Sequence, residues 1–134
     1  MKVFLNIKIY NVIVVLALII VSTWQVEAKD ISQTELLNLM VEDSQVVLLD
    51  VRTKAEFDKG HIAKAINISH DELESRIDEL AQLKSRQIVI YCRSGRRAEV
   101  TRLFLEKNGF KQLDHLSGDF NAWTASELPV VTVK

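Results

Sequence analysis

The chain has one cysteine, one proline, four glycines and three histidines in 134 residues. Cys92 alone excludes an internal disulfide and any Cys-x-x-C redox pair. No two histidines stand at metal-ligand spacing, so no metal site is expected, and no cofactor is implied. A net charge of −1 offers no basic surface for nucleic acid. Internal repeats, low-complexity tracts and a second domain are likewise missing.

One long apolar run is present, from Ile9 to Val21, after Lys2 and Lys8 and before Val26-Glu27-Ala28. This is the pattern of a signal peptide, residues 1–28, cleaved after Ala28. An uncleaved membrane anchor is the alternative. The remaining domain, 29–134, carries 15 basic and 17 acidic residues once Lys2, Lys8 and Glu27 are removed. Export would place it in the periplasm of a cell with two membranes. A lone cysteine in such a compartment implies a reactive thiol or an intermolecular bridge.

The remaining residues alternate between strand and helix patterns. Ser32-Gln33-Thr34-Glu35 and Thr53-Lys54-Ala55-Glu56 both have the form of a capping box that opens a helix. Val46–Asp50 and Gln87–Tyr91 are continuous apolar runs that fit strands buried on both faces. Ala65–Ile68 and Lys111–Leu116 read as further strands, and Val130–Val133 as a short edge strand. Helices are predicted from Asp71 to Leu83, from Arg97 to Asn108 (closed by Gly109) and around Phe120-Asn121-Ala122-Trp123. The sum is a single α/β domain with a mainly parallel sheet flanked by helices. Ligands of such sheets bind beyond the carboxyl ends of the strands.

Cys92-Arg93-Ser94-Gly95-Arg96-Arg97 lies at that edge, between a buried strand and a helix. Converging N–H groups, the helix dipole and three arginines favour a thiolate there. The expected product is a nucleophile in an anion cradle, with Arg93 or Arg96 facing the substrate and Arg97 either facing it or turned outward. Asp50 and Arg52 border the mouth, with Arg52 placed to pair with Glu56. His61 reads as a structural hydrogen-bonding residue, His70 as solvated, and His115 as close to the site without any spacing that demands it.

Taken in order, Leu49-Asp50-Val51-Arg52, Glu56-Phe57, Gly60-His61-Ile62, Ala65–Ile68, the cysteine loop, Leu116-Ser117-Gly118, Asn121-Ala122-Trp123 and Leu128-Pro129-Val130 resemble the rhodanese family in its small single-domain form. The resemblance implies sulfurtransferase chemistry. Cys92 would take the outer sulfur of a small anionic donor such as thiosulfate and hold it as a persulfide. A thiol or cyanide would then accept it. Ser94, Gly95 and the arginines 93, 96 and 97 would bind the donor. Cysteine phosphatases place an arginine six positions after the cysteine, where this chain has Ala98. The shorter loop therefore fits sulfur rather than phosphate. A non-enzymatic sulfur carrier or binding module is the alternative function. Family members often follow the Leu-Ser pair with two glycines, whereas here Gly118 precedes Asp119. That substitution is expected to put a carboxylate at the pocket rim.

Overall fold

The computed structural model describes residues 28–42 and 45–133. Of the expected signal peptide only Ala28, at its cleavage site, falls within them; residues 1–27 lie outside. The elements are β1 (Lys29–Ile31), α1 (Gln33–Glu42), β2 (Val47–Asp50), α2 (Lys54–Lys59), β3 (Ile66–Asn67), α3 (Leu73–Arg76), a 3₁₀ segment (Ile77–Leu83), β4 (Gln87–Tyr91), α4 (Arg96–Lys107), β5 (Gln112–Leu116) and α5 (Asp119–Ala125). The five strands form one sheet in the order β1-β5-β4-β2-β3. Every pairing is parallel, as the alternating pattern predicts.

Alternate residues of the central strands feed two apolar layers. Ile88 and Ile90 face one side, with Leu49, Leu73, Leu80, Ala98, Leu105 and Phe110. Val89 and Tyr91 face the other, with Ile31, Leu36, Leu48, Ile62 and Trp123. A parallel strand covered on both faces needs an unbroken apolar run, and β4 has one.

Both capping boxes form. The Ser32 N–H donates to Glu35 Oε2 at 2.8 Å, and the Glu35 N–H returns to Ser32 Oγ at 3.2 Å. Thr53 and Glu56 exchange the same pair of bonds.

Two expectations are corrected. The helix foreseen over Asp71–Leu83 is α-helical only through Arg76 and then tightens to 3₁₀. Val130–Val133 does not join the sheet: Val131 makes an isolated antiparallel bridge to His61. The sheet's edges are β3 and β1, the latter with Asp30 in register with His115. Among the described residues, no helix is long and apolar enough to cross a membrane.

Candidate active site

Strand β4 runs from the sheet's buried centre straight into Cys92, and four residues later α4 begins. Its last strand residues and Cys92 are no more than 1% exposed, so the loop grows from a rigid base. Cys92 Sγ accepts the Gly95 N–H at 3.1 Å. The amide reaches the sulfur because Gly95 adopts φ 103°, in the left-handed region that favours glycine. A Cβ there would also come within 3.2 Å of Asp119 Oδ2. The sulfur therefore sits beside an N–H donor and at the positive end of a 12-residue helix.

Above it lies a cavity of about 570 Å³, lined by His70, Cys92, Ser94, Arg96, Arg97 and Val100. Arg97 is not turned outward. Its two terminal nitrogens hold both oxygens of Glu56, at 2.7 and 2.9 Å. This bidentate bridge is the main cause that lowers the Glu56 carboxyl to about 2, with the Thr53 cap helping and burial opposing.

Arg93 points elsewhere. It lines a second cavity of about 400 Å³ with Arg52, Glu56, Lys59, Phe120 and Asn121. Of the arginines foreseen around the donor, Arg96 and Arg97 thus share a cavity with the thiol, and Arg93 occupies the neighbouring one. The reason is local: Arg93 precedes the turn at Gly95, whereas Arg96 and Arg97 stand on the first turn of α4.

The expected Arg52–Glu56 ion pair is also not the one formed. Arg52 is buried and binds Asp50 through Nε at 3.0 Å, donates to the Gly60 carbonyl at 2.8 Å, and lies 3.8 Å from the centre of the Phe120 ring. Arg52 and Asp50 are therefore a buried structural pair near the mouth. His61 has the structural role expected of it, with Nδ1 at 2.9 Å from the Phe57 carbonyl and the ring stacked on Phe57.

Two residues are misplaced by sequence reasoning. His70 is not simply solvated: it lines the thiol's cavity, and its buried Nδ1 has no hydrogen-bond partner. Asp119 is not at the rim. It is 2% exposed beneath the loop, where its Oδ1 accepts the Cys92 N–H at 2.7 Å. Its other oxygen lies 3.0 Å from His115 Nε2. His115 does approach the site, from below. The unusual Gly118-Asp119 pair was the available signal for this, but only the fold shows which way the carboxylate turns. Among the described residues, no group of three or more acidic, histidine or cysteine side chains could hold a metal.

Residues 32–126 match the rhodanese-like domain. A sulfurtransferase of Allochromatium vinosum is 32% identical over 76% of this chain and 94% of its own length. The tRNA uridine(34) hydroxylase of Cronobacter sakazakii is 31% identical over 61% of this chain, which spans only 25% of that longer protein. Among solved structures, a thiosulfate sulfurtransferase of Pseudomonas aeruginosa superposes with a TM-score of 0.68 at 25% identity, covering 81% of this chain and 20% of that one. The chain belongs to the rhodanese-like family, and a sulfurtransferase is among the relatives it matches over nearly their whole length.

Proposed function

We propose that the protein carries sulfane sulfur from thiosulfate, or a related small anion, to a thiol or cyanide by way of a persulfide on Cys92. The observation that supports this most is the placement of Cys92 Sγ in a cavity walled by Arg96 and Arg97, with the Gly95 N–H at 3.1 Å. In the first step the thiolate attacks the outer sulfur of thiosulfate. The S–S bond of the donor breaks, and sulfite leaves with the bonding pair. In the second step the acceptor thiolate or cyanide attacks the outer sulfur of the persulfide, and Cys92 departs as thiolate. The guanidinium groups suit the sulfonate of the donor, through charge-assisted hydrogen bonds. The helix N-terminus and loop N–H groups suit the persulfide anion. Residues 1–28 support export and cleavage after Ala28, with action in a periplasm.

Steady-state transfer from thiosulfate to cyanide tests the reading, with Cys92→Ser as control. Turnover by the wild type and none by the variant is the expected result. A folded protein with a free thiol and no turnover on any small sulfur donor would contradict it. Uptake of one sulfur without turnover would identify a carrier instead.

A further inference from the structure

The support beneath the nucleophile is charged, and its charge has two possible values. Asp119 follows Gly118, in place of the second of two glycines often found there in the family, at φ 55° in the left-handed region. A non-glycine residue is held there at a cost, and here that residue grips the nucleophile's own main chain through the Cys92 N–H. A buried carboxylate thus bonds the main chain of the residue that carries the thiol. His115 faces that carboxylate. Its Nε2 faces Asp119 Oδ2 and its Nδ1 faces Asp30 Oδ1, each at 3.0 Å. A neutral imidazole donates from one nitrogen only, leaving the other lone pair against a carboxylate oxygen. With both carboxylates ionised, both contacts are satisfied only by the imidazolium.

The groups facing His115 are Asp119 from α5, Asp30 from β1 and Glu99 from α4, the last held by Arg102. All three carboxylates favour the charged ring, and the hydrogen bond to Asp119 is the largest cause that raises the His115 pKa from 6.5. The ring lies beside the loop as well: a Cβ on Gly95 would stand 3.8 Å from His115 Cε1, and the Gly95 N–H is the one that meets Cys92 Sγ.

We infer that Asp119, His115 and Asp30 are positioning residues forming a charge-coupled support under the catalytic loop, so that the reactivity of Cys92 follows the protonation of His115. With the ring charged, the Asp119 carboxylate is balanced and the thiolate is favoured. When the ring loses its proton, the buried negative charge is unbalanced and thiolate formation is opposed. The inference rests on Cys92 being the nucleophile, but its test does not need sulfur transfer.

The test is the rate of Cys92 alkylation by iodoacetamide, a neutral probe, from about pH 5 to 9, a span that covers the histidine range and the free cysteine value. The His115 ring is followed by NMR in the same samples. In the wild type, the alkylation profile is expected to bend at the pH where the ring titrates. His115→Gln should remove that bend and slow alkylation on its acid side by about three- to tenfold. Asp119→Asn, which keeps an acceptor for the Cys92 N–H, should speed alkylation on the alkaline side by a similar factor and move the ring's titration down. A wild-type profile with no bend at the ring's titration, unchanged by His115→Gln in a folded protein, would overturn the inference. Should Asp119→Asn fail to fold, the wild-type comparison and His115→Gln decide the matter.

Discussion

At the scale of single residues, the sulfur is held by contacts that smaller or larger side chains cannot reproduce. A methyl group on Gly95 would press to 3.2 Å from Asp119 Oδ2, and its φ of 103° disfavours any residue but glycine. Gly95→Ala is expected to lower the rate of sulfur loading by at least about tenfold while the fold persists, as reported by donor-loading kinetics beside a circular-dichroism melt. Glu56 holds Arg97 in the cavity wall from α2, 41 residues away in the chain. Glu56→Ala should raise the KM for thiosulfate about three- to tenfold with a smaller change in kcat, since it releases the arginine proposed to bind the donor and leaves Cys92 in place. The same bridge has a pH signature. The Glu56 pKa is depressed to about 2 from 4.5, so its stabilising contribution is complete above the unfolded value and is lost as pH falls through the folded one. Chemical denaturation from pH 5 to 2 should show that loss in the wild type and a shallower one in Glu56→Gln. His115 has the opposite sign. Its pKa is raised, so its contribution is present below 6.5 and fades as pH rises through the folded value.

At the scale of elements, the central strands and capped helices were legible because each is specified locally. Gln87–Tyr91 is apolar throughout since it is covered on both faces, and the Ser32 and Thr53 boxes mark their helix starts within four residues. Ile90 is fully buried among Leu49, Ile88, Ala98 and Leu105. Ile90→Ala should cost about 2–5 kcal/mol in urea unfolding. What was not legible depends on partners distant in the chain. Strand β1 is three residues long with Lys29 and Asp30 exposed, so it has no apolar periodicity to read. It becomes a strand by pairing with β5, and this brings Asp30 to His115 across 85 positions. The turn that starts α5 was marked by Gly118, where a Cβ would collide with Ala122 Cβ. The burial of the next residue, Asp119, depends on the cysteine loop above it.

At the scale of the whole molecule, a five-stranded parallel sheet delivers β4 to its centre and puts Cys92 at the carboxyl edge. Helix α4 supplies the dipole, α2 fixes Arg97 through Glu56, and α5 with β5 carries the support below. The thiol and its arginines were evident from the loop alone. The division of those arginines between two cavities, and the place of His70 beside the thiol, required the packed chain. The central claim is that this architecture makes Cys92 a carrier of one sulfur atom. The most direct measurement is intact-protein mass spectrometry after brief exposure to thiosulfate, followed by cyanide. The account predicts a gain of about 32 Da, one sulfur on the Cys92 thiolate, confined to the peptide containing Cys92 and removed by cyanide. A folded protein with a free thiol that gains no mass from thiosulfate or from a polysulfide would contradict it.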